Sequence, residues 1–189
     1  MERLLSSRYN VVVLMVLLAA FSRLLPHPPN VTAIGAMALF AGAFLPTHWA
    51  WLVPLAAMWV SDLIINNLVF GAFYGQFVWM TPGVAWSMLG LVLIALLGSR
   101  LLTKVSVGRL LGASLSASLI FFLTSNAGSW LTHDLYPATL SGLFTAYIAG
   151  LPFFANTVLG DLFFTGLMFA SFAWLMRRWP ALRSPEVAA

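Results

Sequence analysis

Six apolar segments, residues 9–25, 31–45, 49–66, 80–98, 108–131 and 153–176, constrain this chain more than any motif it carries. An α-helix rises 1.5 Å per residue, so about 20 apolar residues cross a hydrocarbon core roughly 30 Å thick. Charged residues make up only 7% of the 189, and mean hydropathy is +0.96. Soluble domains carry about a quarter. The pattern predicts an all-α polytopic membrane bundle of six transmembrane helices, built as one domain over residues 1–189. The weak alternation of an outer-membrane barrel is missing. The first segment reads as a span rather than a signal peptide, because it leads into Arg23 and LPHPP, not into a small-residue cleavage site. Residues 139–151, TLSGLFTAYIAGL, are amphipathic and closed by Pro152, which predicts a separate interfacial or re-entrant helix.

Basic residues orient the bundle, since Lys and Arg are retained on the cytoplasmic side. Arg3 and Arg8 precede the first segment, Arg100, Lys104 and Arg109 lie between the fourth and fifth, and Arg177, Arg178 and Arg183 follow the sixth. Six spans put all three clusters on one side, with both termini cytoplasmic. A five- or seven-span chain would strand one cluster outside. The net charge of +4 is therefore a topology signal beside a lipid bilayer and implies no nucleic acid. The absence of cysteine excludes disulfides and thiolate metal sites.

The remaining polar residues gather at the opposite, outer end. An ionised side chain at bilayer depth costs at least about 2.5–3.5 kcal/mol, so such residues face the bundle, pair, or line a wet cavity. Arg23, Asp62 and Asp161 are three of them. Asp161 is expected roughly 12 Å below the outer end of its helix. Either Arg23 snorkels to headgroups while the aspartates cap nearby loops, or it pairs with one aspartate and leaves the other for a ligand or for helix-end amides. Pro28 and Pro29 hold His27 on a rigid non-helical segment, and Asn30 is placed to cap the second helix. That helix, VTAIGAMALFAGAFL, is rich in Ala and Gly, which suits close helix packing or a partner helix. Arg23, Asp62, Asn126, Asn156 and Asp161 are expected to form a polar floor, approached from above by His27, His133 and the outer-loop Tyr136. The aromatic loop LVFGAFYGQFVW, with Tyr74 between Gly71 and Gly75, is either an interface belt or a hydrophobic lid.

No GxxxxGK[ST], HExxH or GxSxG occurs, so the chain holds no visible ATP site or catalytic motif. The stretches LLPHPPNVTAIGAMALFAGA, LVPLAAMWVSDL, FFLTSNAGSWL and YPATLSGLFTAYIAGLPFFANTVLGDLFFTGL carry a resemblance. Together they resemble the substrate-binding S components of bacterial energy-coupling factor vitamin transporters, and most closely the solitary cobalamin-specific members.

The resemblance covers residues 21–175 and implies a six-helix bundle in the bacterial cytoplasmic membrane with an outward vitamin pocket capped by loops. It implies cobalamin as transported ligand and no cofactor of the protein's own. His27 is similar to the family's histidine after the first helix, Asp62 to the aspartate ending the third, and Tyr74 lies in the corresponding loop. Two departures stand out. The loop cysteine that ligates cobalt in some members is missing, which leaves imidazole from His27 or His133 as the candidate cobalt ligand. The Ala-x-x-x-Ala face used to dock the shared transmembrane coupling subunit and its ATPases is broken, because Ala19 is followed four residues on by Arg23. Either that partner is dispensable or the second helix docks it. Two other classes fit the same residues: an intramembrane enzyme using His27, His133 and an aspartate, and a structural or assembly subunit.

Overall fold

A bilayer offers no partner for backbone N–H and C=O groups, and this chain satisfies them within helices. The computed structural model describes residues 2–132 and 134–183, with the side chains of 2–6 and 47 excepted. Helix α1 spans Glu2–Phe21, α2 Ile34–Phe44, α3 Thr47–Ile64, α4 Gly71–Tyr74, α5 Val84–Leu101, α6 Val107–Thr132 and α7 Leu140–Arg178. A 3-10 turn, Ser22–Leu24, extends α1, and a π-helical turn, Ile65–Val69, extends α3. No strand occurs among the described residues. Five helical stretches are long and apolar enough to cross a membrane: Ser7–Leu24, His48–Val69, Val84–Leu101, Val107–Thr132 and Leu140–Arg178.

The second segment is not a span-length helix. Only eleven residues are helical, roughly 16 Å, and Val31–Ala33 stay outside the helix. The leading prolines explain the shortfall, because Pro28 and Pro29 push the chain ahead of α2 out of the α region. Every residue from Ile34 to Gly42 is buried, so α2 is the central post of the bundle. Its close partner is α5. A methyl group at Gly98 would sit 2.6 Å from the Leu39 carbonyl oxygen, and one at Gly42 would overlap the Ala95 carbonyl. Those pairings set α2 beside the last turns of α5, leaving Leu25–Ala33 to run down through the other half of the bundle as irregular backbone. Gly160 of α7 makes room for it, since a methyl there would lie 2.9 Å from the Thr32 amide nitrogen. Ile34–Gly42, the part of α2 weighed above as one of two alternatives for docking a coupling subunit, has no exposed residue.

The predicted helix 139–151 is the beginning of α7, and Pro152 sits inside a continuous 39-residue helix. Proline removes one hydrogen bond, which membrane helices tolerate when neighbours hold the turn. Here α6 does so. Tyr147 donates to the Leu123 carbonyl at 3.0 Å, and Gly142, Ala146 and Gly150 form a buried small-residue face. At the other end of the bundle Phe40, Phe44, Phe169 and Phe172 pack ring to ring with centroids 4.6–5.4 Å apart. The Arg8 guanidinium lies 5.6 Å from the Phe44 ring, joining the start of α1 to this cluster.

Candidate functional site

The ends of α1, α3 and α6 and the start of α5 surround an open cavity of about 800 Å³. One wall is the non-helical segment Leu25–Thr32, and Ile34 at the start of α2 closes the bottom. Arg23 is held on the rim by the 3-10 turn. Its Nη1 lies 2.7 Å from Asp62 Oδ1 and donates to Ser61 Oγ at 2.8 Å, while Ser61 in turn donates to the Met58 carbonyl. Asp62 is thus the aspartate that pairs with Arg23, and both side chains are more than four-fifths buried, at 15% and 18% exposure.

His27 also lines the cavity, on the exposed turn that its prolines impose. Its Nδ1 lies 3.0 Å from the Pro28 carbonyl and its Nε2 3.3 Å from the Arg23 carbonyl. Ligation of a metal through Nε2 therefore requires the ring to leave the Arg23 carbonyl. Asn30 does not cap α2. It takes a left-handed conformation, φ 62°, and faces the cavity, while the N-cap position is Ala33, which has no side-chain cap. The amides of the first turn are satisfied by Asp161 instead: its carboxylate accepts from Gly35 and Ala36, and Ser118 Oγ donates to Oδ2 at 2.7 Å.

Asp161, 2% exposed, lies under the cavity and lines neither of its chambers. Asn156 also lines neither; its Nδ2 donates to the Pro29 carbonyl at 2.8 Å and pins the non-helical segment to α7. Asn126 does line a smaller chamber of about 270 Å³ with Thr157, Gly150 and Phe153. Both chambers share Asn30, Phe121, Ser125 and Ser129, so they adjoin. Tyr74 reaches the large chamber, Tyr136 is half-buried outside both, and His133 lies outside the described residues. Sequence reasoning passed over Ser61, Ser87 and the turn Thr81–Gly83, all of them small polar or backbone contributors with no pattern of their own.

The aromatic loop contributes Val69, Phe70 and Tyr74 to the lining of the large chamber and is held at a fixed base. Asn67 Nδ2 donates to the Leu63 and Val78 carbonyls, both at 2.9 Å, and its Oδ1 accepts from the Val78 amide at 2.7 Å. Between these anchors Leu68 and Phe73 are about 80% exposed, at 79% and 83%, and Gly75 turns the chain with φ 64°. Asn67→Ala removes three hydrogen bonds worth about 1 kcal/mol each. Limited proteolysis should then cut within 68–77 at least several-fold faster, with the rest of the bundle intact.

Such a bundle, with five membrane-length apolar helices and an open cavity at one end, defines a multi-pass α-helical membrane protein. Residues 4–182 match the profile of a family described as of unknown function, DUF6580, and the chain belongs to that family. No curated protein and no solved structure matches it.

Proposed function

We propose that this protein is the substrate-binding subunit of a vitamin uptake system, capturing a corrinoid such as cobalamin from the outer side of a bacterial cytoplasmic membrane. The single observation carrying the reading is the open cavity of about 800 Å³ at the end of the bundle away from Arg100, Lys104, Arg109, Arg177 and Arg178. A volume of this size falls in the range of small-molecule sites. By the retention of basic residues in the cytoplasm, the cavity faces out and the chain makes six passes, α2 with its irregular lead counting as one, with both termini inside.

The pair of chambers suits a ligand with a broad flat body and a smaller branch, which a corrinoid ring with its nucleotide arm has. Amide, imidazole and guanidinium groups are on hand for its peripheral carboxamides. Deeper in the bundle, past the buried Ser118 and Asp161, the core is apolar around Phe40, Phe172 and Leu39, so uptake works by reorientation of the loaded bundle rather than by conduction. The energy comes from a partner or from an ion, and the protein acts by capture and release without chemistry of its own. Titrating the purified protein with cobalamin, cobinamide, riboflavin, thiamine, biotin and heme tests this. Saturable one-to-one binding of the corrinoids alone is the expected result; binding of none of the six, with the protein folded, overturns the reading.

A further inference from the structure

Under the cavity, α6 and α7 bring four oxygen-bearing side chains to one seam. Ser118 and Asp161 are hydrogen-bonded across it. Asn126 against Gly150 and Ser118 against Asp161 show that the two helices run antiparallel. Ser114 and Thr165 therefore each lie one turn further from the cavity, on the same faces as Ser118 and Asp161. They are 1% and 2% exposed, yet neither Ser114 Oγ nor Thr165 Oγ1 has a hydrogen-bond partner. Buried hydroxyls are ordinarily satisfied, and in a helix the carbonyl four residues back is the usual acceptor. Ser118 uses it at 3.1 Å and Thr157 at 3.0 Å. Ser114 and Thr165 do not. Asp161, for its part, has no cation beside it; among the described residues the ion pair is Arg23 with Asp62.

We propose that Asp161, Ser114, Ser118 and Thr165 form a sodium-ion site in the α6/α7 seam. Carboxylate and hydroxyl oxygens are hard donors suited to a hard cation. One carboxylate balances one monovalent charge, whereas a divalent ion would leave excess charge in a low-dielectric interior. No group of three His, Cys, Asp or Glu side chains among the described residues offers a transition metal its usual ligands. A proton would sit on the carboxyl group alone and leave the two hydroxyls without a role; sodium engages both. The site also shares a backbone turn with the cavity, since Ile34 lines the cavity and Gly35 and Ala36 bond Asp161. Sodium and solute then strengthen each other's binding through α2, as linkage requires of two ligands favouring one state. This coupling rests on the uptake reading; the ion site itself does not.

Equilibrium binding of ²²Na⁺ to the purified wild-type protein tests the site without any solute. The expected result is saturable binding of one ion per chain, competed by lithium more than by potassium and not by choline. Thr165→Val keeps the side-chain shape and removes the oxygen, and Ser114→Ala removes the facing one. Each should weaken sodium binding at least tenfold while the unfolding midpoint in choline chloride stays within a few degrees. No saturable ²²Na⁺ binding, or binding unaffected by both substitutions, overturns the proposal. A midpoint that answers to pH but not to sodium at constant ionic strength assigns a proton and overturns it as well. Sodium binding that persists while every vitamin fails to bind upholds this site and removes the uptake reading instead.

Discussion

Asp161→Ala should lower the stability of the purified protein by about 3–5 kcal/mol. The carboxylate is the acceptor for the Gly35 and Ala36 amides and for Ser118, and its removal strands three buried donors at about 1–3 kcal/mol each, partly relieved by relaxation. It also takes a negative charge from the N-terminus of α2, where the helix dipole favours one. Nothing else is in place to substitute, because the N-cap is Ala33. Asp161→Asn keeps an acceptor oxygen and should lose roughly half as much. The eight tryptophans allow the unfolding midpoint in detergent to be followed by intrinsic fluorescence. An alanine variant within about 1 kcal/mol of the parent would mean that α2 is held by packing alone.

Arg23→Met should cost about 3 kcal/mol, because it leaves Asp62 mostly buried with no opposite charge. The double variant Arg23→Met with Asp62→Leu should regain most of that loss, since replacing a buried pair by apolar residues is often neutral. Solute binding separates structure from recognition. If the pair presents charge to the ligand, the refolded double variant still binds the corrinoid at least tenfold more weakly, about 1.4 kcal/mol. Stability restored together with full affinity would assign the pair to the bundle rather than to the cavity.

Much of this architecture was legible in the residues, and the failures share a cause. Segment length and hydropathy located α3, α5 and α6 to within four residues, because span length is dictated by the bilayer, whereas α1 begins seven residues before the predicted start at residue 9. The pairing of Arg23 with an aspartate was one of two readings that the cost of isolated charge allowed, and which aspartate it meets depends on α1 and α3 ending side by side, a tertiary fact. Pro152 misled because local propensity counts the lost hydrogen bond and not the α6 surface that holds the turn. Asn30 misled in the opposite way. It is a good cap residue three positions too early, and the true cap comes from α7, far along the chain. Asn156 and Asp161 belong to the site's frame, and no spacing rule distinguishes a group that touches a ligand from one that touches the segment holding it.

Enclosure of α2 has a consequence for how the protein is made. Eleven residues are too few for the insertion machinery to release sideways as an independent segment, so α2 enters lipid only as a passenger of its neighbours. Its cap lies 126 positions downstream of Gly35, which means that α3, α5 and α6 are made before the amides of the first turn meet their acceptor. Until then the early half of the chain waits with an unsealed gap, a window in which a membrane chaperone or protease can intervene. Truncation anywhere before Asp161 should therefore yield not a smaller bundle but a substrate for degradation.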